Sequence, residues 1–184
     1  MHTIDVTERL LTGERMIWSG RPAQGLLFSG RDWLLVPFSL LWGGFAIFWE
    51  SMVLAMNGPI FMKLWGVPFV LIGLYLVVGR FILDAWIRSG MQYAVTNKRV
   101  LISRSGPFSR LTAVGLDQLP DASLSESADG RGTIRFGQQA QMWGGRQGGF
   151  SSWTPALDPT PQFIGIENAR SVFDQIQSAA RKGA

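Results

Sequence analysis

The sequence has no cysteine and one histidine, His2, at its start. Disulfide frameworks, cysteine-ligated zinc or iron–sulfur sites and thiol nucleophiles are therefore excluded, and a multi-histidine metal centre or a Ser-His-Asp triad lacks the imidazoles it needs. Charge is scarce as well: 16% of the 184 residues are Asp, Glu, Lys or Arg, against 47% hydrophobic, with 8 Trp and 12 Phe. A disordered chain has the opposite balance. The length suits one domain and at most a small second one.

The scarcity of charge is concentrated before residue 88. Trp33 to Trp49 is an uninterrupted apolar run bounded by Asp32 and Glu50, and apolar character resumes from Met52 to Met56. A second run covers Leu64 to Gly79 and extends through Leu83 if Arg80 reaches the headgroups along its aliphatic stem. Roughly 17 to 25 such residues cross a hydrocarbon core, so each run is long enough to span. Asn57, Gly58 and Pro59 form a turn between them, which gives a helical hairpin. Trp33, Trp49, Trp65 and Trp86 fall near the expected ends, where an indole sits between headgroup and tail; Trp42 does not fit that belt. Gly43, Gly44, Gly66, Gly73 and Gly79 either let the two helices approach closely or are neutral. A buried soluble helix is the alternative reading, but it usually keeps a polar stripe.

Met1 to Arg31 contains Asp5, Glu8 and Glu14 and no compact apolar stretch, so it is expected to remain in the mature protein. Arg9, Arg15, Arg21 and Arg31 precede the first run, Lys63 alone lies near the connecting loop, and six cations from Arg80 to Arg110 follow the second. The positive-inside rule then makes both termini cytoplasmic, in a multi-pass protein of the inner membrane. Neither run holds an ionisable group in its interior, so an anchor is expected and an ion or proton pathway is not.

From Met91 onward the apolar period changes to two. Gln92–Thr96 and Arg99–Ser103 read as a hairpin about Asn97 and Lys98, followed by strands at Leu111–Leu116, Ala122–Ser127 and Thr133–Gly137. The glycine- and glutamine-rich stretch from Gln138 to Pro161 has little periodicity. It carries Trp143, Arg146, Phe150 and Trp153 and reads as a long loop with one or two irregular strands. Ile166, Ala169, Val172, Phe173, Ile176, Ala179 and Ala180 recur at helical spacing and predict a C-terminal amphipathic helix that covers the open end of the β-domain.

The run Tyr93–Ile102 (YAVTNKRVLI), with Gly130–Gly137 (GRGTIRFG), Phe163–Ala169 (FIGIENA) and the lead-in Gly13–Pro22 (GERMIWSGRP), resembles the membrane-anchored bacterial PH-like domain family. That resemblance implies a pleckstrin-homology-like fold: a partly open barrel of about seven strands in two roughly orthogonal sheets, closed by one C-terminal helix. It implies a binding or assembly module that forms oligomers, and brings no catalytic residues. The expected whole is an α+β membrane protein: a cytoplasmic segment 1–31, a transmembrane hairpin within 32–87 (about 33–55 and 64–83), and a cytoplasmic PH-like domain 88–184 whose partly open β-barrel is capped by the C-terminal helix.

The leading functional expectation is a non-enzymatic scaffold that docks a protein partner or another copy of itself, with membrane lipids as its surroundings and neither a cofactor nor nucleic acid as a ligand. Candidate surface contacts are Lys98, Arg99, Arg104, Arg110, Trp143, Arg146 and Trp153. The four basic residues from Lys98 to Arg110 also support an anionic-lipid sensor as an alternative. Asp117, Asp121, Glu126 and Asp129 support, more weakly, an accessory subunit of a membrane enzyme or transporter.

Overall fold

The structure is a computed structural model that describes residues 9–28, 30, 32–119, 122–127, 130–137 and 154–183. The chain forms two compact units. Phe28–Leu83 is helical, while Met1–Leu27 and Asp84–Ala184 together make the sheet unit.

In the helical unit, α1 (Asp32–Ala55) and α2 (Ile60–Leu74) are antiparallel neighbours joined by the expected turn. Asn57 takes a left-handed φ of 48°, and the Gly58 N–H bonds to the Val53 carbonyl at 2.9 Å, which closes the end of α1. Helical structure then runs from α2 through a π-helical turn, Tyr75–Gly79, into α3 (Arg80–Ser89). The buried stripe of α1 is Asp32, Leu35, Ser39, Gly43 and Ala46, spaced three or four apart. Gly43 meets Gly73 so closely that a Cβ on Gly73 would lie 2.9 Å from the Gly43 Cα. Close approach of backbones is thus the role of Gly43 and Gly73, whereas Gly44 faces open space. Many of the other side chains point outward, among them Trp33 at 88% and Leu41 at 74% exposure. Both Asp32–Ala55 and Ile60–Ser89 are long and apolar enough to cross a membrane.

Arg80 corrects one expectation. It does not extend outward along its stem; it is 2% exposed and its Nη1 lies 2.8 Å from Asp32 Oδ1. Its guanidinium stands 4.4 Å over the Phe81 ring. A carboxylate at the start of α1 offers it a nearer partner than water or a headgroup, so the second helical stretch continues past it to Ser89.

The sheet unit has seven strands among the described residues. β1 (Met16–Gly20), β2 (Met91–Thr96), β3 (Arg99–Arg104) and β4 (Arg110–Gly115) form one antiparallel sheet in that order; β5 (Ala122–Glu126), β6 (Gly132–Phe136) and β7 (Gln162–Ile166) form the second. The two sheets do not join into a closed barrel. Sequence periodicity finds β2 to β6 and places the missing strands within 138–163. The structure adds β1 before the helices, at the strand-like Met16–Trp18, and β7 from Gln162 at the end of that stretch, while 138–153 lies outside the described residues. The segment ahead of the hairpin is therefore an integral edge of the sheet, and the helical unit is an insertion between β1 and β2.

The core is built around Phe163, whose ring lies 4.6 Å from Tyr93, 5.2 Å from Phe136 and 5.6 Å from Trp18. α4 (Ala169–Gly183) buries Ala169, Val172, Ile176 and Ala179 against this unit. It packs so tightly at Gly132 that a Cβ there would sit 2.7 Å from the Ala169 methyl.

Candidate functional site

The four basic residues that the sequence groups together are parted by the fold. Lys98 lies at the β2–β3 turn and Arg99 opens β3, whereas Arg104 closes β3 opposite Arg110 on β4. A six-residue strand separates the pairs by roughly 17 Å. Trp143, Arg146 and Trp153 lie outside the described residues, as do Asp121 and Asp129.

At the Lys98 end, Arg99 is committed to structure. Its Nε donates to Glu14 Oε1 at 2.9 Å and its Nη2 to Glu14 Oε2 at 3.0 Å and to the Arg9 carbonyl at 2.9 Å. Glu14 also accepts from the Thr96 hydroxyl at 2.7 Å and the Leu11 N–H at 2.7 Å. Burial alone would push this carboxyl up, but the donors of Arg99, Leu11 and Thr96 overcome it and bring its pKa from 4.5 down to about 2. The folded value is below the unfolded one, so the stabilisation is complete above about pH 4.5 and is lost as the pH falls toward 2. Glu14→Gln is expected to cost about 2 kcal/mol at neutral pH. It should also flatten the acid limb of stability when thermal unfolding of the full chain in detergent is followed from pH 7 to pH 3. An unchanged acid limb would contradict this assignment.

The other end is different in kind. Arg104 donates from Nε to the Phe108 carbonyl at 2.6 Å and from Nη1 to the Ala156 carbonyl at 2.7 Å, holding the 155–157 turn against the sheet. Among the described residues neither Arg104 nor Arg110 has a carboxylate within ion-pair distance. Burial and then the neighbouring charge of Arg110 lower the Arg104 pKa. Like charges placed opposite one another across a sheet are unfavourable until an anion or solvent screens them. The two arginines, with Thr112, Asp158, Thr160 and Gln162, line a small cleft of about 50 Å³.

From that cleft runs β4, an edge strand of the first sheet. Among the described residues β4 is paired only to β3, and Phe108, Leu111 and Ala113 are exposed. The β7 edge is contacted by the segment before α1. The Ala23 N–H donates to the Gly165 carbonyl of β7 at 3.1 Å. Edge strands are usually blunted by Lys, Pro or a bulge. β4, reading RLTAVG, has no Lys or Pro and pairs with β3 in unbroken register.

Both chain connections to the helical unit leave the sheet unit at one place. Arg88 is fully buried; its Nε lies 2.6 Å from Asp84 Oδ2, its Nη2 donates to the Gly25 carbonyl at 2.6 Å, and its Nη1 donates to the Ala23 carbonyl. Asp84 Oδ1 accepts the Ala156 N–H at 2.9 Å. One guanidinium thus ties the segment before α1 to the end of α3, and its carboxylate ties both to the turn that Arg104 also holds. Beside this network burial pushes the Tyr93 hydroxyl well above its ordinary pKa, and its oxygen accepts the Ile164 N–H at 3.2 Å. Arg104 stands opposite Met91, two residues beyond the end of α3, so the arginine cleft lies at the end of the sheet where α3 enters.

Sequence reading missed Asp84, Arg88 and Glu14. The available signal was an Asp and an Arg four residues apart at the close of an apolar run, a pairing that helical spacing permits. No family model, curated protein or solved structure matches this chain.

Proposed function

We propose that this chain is a membrane-anchored binding module of PH-like fold whose two long helices cross the bilayer and hold the sheet unit at its inner face. In this reading it has no catalytic role and docks an extended segment of a partner, or of a second copy, along β4. The observation that carries it is the β4 edge, which no strand among the described residues covers and which has Phe108 and Leu111 exposed beside it. Main-chain bonds along such an edge give affinity, and alternate side chains give specificity. Support for the anchor is that the apolar helices expose most of their surface, whereas the core helix of a soluble protein hides it. Support for the fold is the arrangement of four and three antiparallel strands followed by a single C-terminal helix.

The arginine cleft favours a second reading, recognition of an anionic lipid headgroup, because among the described residues its paired charges have no carboxylate within ion-pair distance and lie where α3 enters the sheet unit. One experiment separates the two. A photoreactive residue placed at Leu111 in the full chain, in native membranes, is expected to crosslink to a defined protein or to a second copy, while the same residue at Lys98 does not. Lipid adducts alone at Leu111 would favour the headgroup reading, and equal protein crosslinking at both positions would overturn docking on β4.

A further inference from the structure

The side chains of β4 alternate between two faces. Arg110 and Thr112 line the arginine cleft, as do Ile102 and Arg104 of β3 and Met91 of β2. Leu111 and Ala113 belong to the opposite face and are exposed. Met91 stands opposite Arg104, and Arg104 opposite Arg110, so the three form one row across the sheet on the cleft side. A strand added beyond β4 extends that row by one residue. The side chain of that residue shares the face of Arg110, with the two Cβ atoms about 5 Å apart.

The chemistry of the row decides which residue completes it. Arg110 is exposed and forms no ion pair among the described residues. Arg104 spends Nε and Nη1 on the carbonyls of Phe108 and Ala156, and neither of these acceptors carries a charge. Asp158 also lines the cleft, but its Oδ1 accepts the Thr160 N–H at 3.0 Å and its carboxylate is beyond ion-pair distance of both guanidiniums. The stretch from Gln138 to Trp153 contains no acidic residue. Two like charges side by side repel, whereas a carboxylate placed third in the row is attracted to both. On the other face Leu111 and Ala113 favour apolar residues opposite them.

A second copy of β4 does not meet these demands. In a two-fold pair of antiparallel strands, facing residues share a face, so Arg110 would meet Arg110, Thr112 or Val114 of the other copy, none of them acidic. The sheet is antiparallel throughout, and a strand that continues this pattern runs toward the cleft and arrives there with its C-terminal end.

We infer that the partner is a different protein, whose docked segment is an extended run of alternating apolar residues closed at its C-terminal end by an Asp or Glu opposite Arg110. The inference rests on the reading that β4 takes up an extended segment.

The test is selection of a phage-displayed random decapeptide library on the full chain in phosphatidylcholine nanodiscs, after which the selected peptides are synthesised with amidated ends. Peptides that crosslink to a photoreactive residue at Leu111 are expected to carry an Asp or Glu after alternating apolar residues. Replacing that acid by its amide is expected to weaken binding about five-fold or more to the native chain and to change little with Arg110→Gln. Undiminished binding of the amide peptide by Arg110→Gln shows that this variant is folded. Arg170→Gln, on α4, is expected to leave the affinity for the acidic peptide unchanged. Crosslinking at Leu111 without preference for an acid, or an acid-to-amide loss of equal size with Arg110→Gln, would overturn the inference and leave docking on β4 standing. Selection of no peptide that crosslinks at Leu111 would overturn the docking reading together with it.

Discussion

Arg88→Met is expected to destabilise the sheet unit by about 3–5 kcal/mol, because it strands the buried Asp84 carboxylate without its cation. Two further groups lose their donor at the same time, the carbonyls of Ala23 and Gly25. Asp84→Leu should cost a similar amount for the complementary reason, with Arg88 left charged in the interior and the Ala156 N–H deprived of its acceptor. Replacing both side chains by apolar groups removes the charges and should recover part of the loss. The unpaired Ala23, Gly25 and Ala156 backbone groups prevent full recovery. Denaturant unfolding of the full chain in micelles, with hydrogen exchange read across Met91–Thr96, measures both quantities. A loss below about 1 kcal/mol for either single variant would mean that the network does not hold the sheet unit together.

What was legible in the sequence divides by the range of the interactions involved. The two apolar helices, the Asn57–Gly58–Pro59 turn, the β2–β3 hairpin and α4 are all specified by neighbours within a few residues, so hydropathy, turn chemistry and helical spacing find them. Met16–Trp18 is strand-like in the sequence, but its place in the sheet is not legible there, since its pairing partner begins at Met91, on the far side of the inserted helices. Arg80 reads as a residue at a membrane surface because its partner Asp32 lies in the other helix. The same limit applies to the site. A cluster of Lys98, Arg99, Arg104 and Arg110 is a cluster only along the chain. Once β3 is extended, its two ends are separated, Arg99 is consumed by Glu14, and Arg104 and Arg110 are left together at the end where α3 enters. Openness of the β4 edge among the described residues is likewise set by which strands fail to pair with it, which no local pattern encodes.

Because the native chain contains no cysteine, a single introduced thiol reports its own side of a membrane without background. Asn57 lies in the turn between the helices and Lys98 at the β2–β3 turn, both exposed. In sealed, right-side-out vesicles a membrane-impermeant maleimide is expected to label Asn57→Cys at once and Lys98→Cys only after the vesicles are disrupted. Labelling of Lys98→Cys in intact vesicles, or release of the protein from them by alkaline carbonate, would contradict an anchored module facing the inner side.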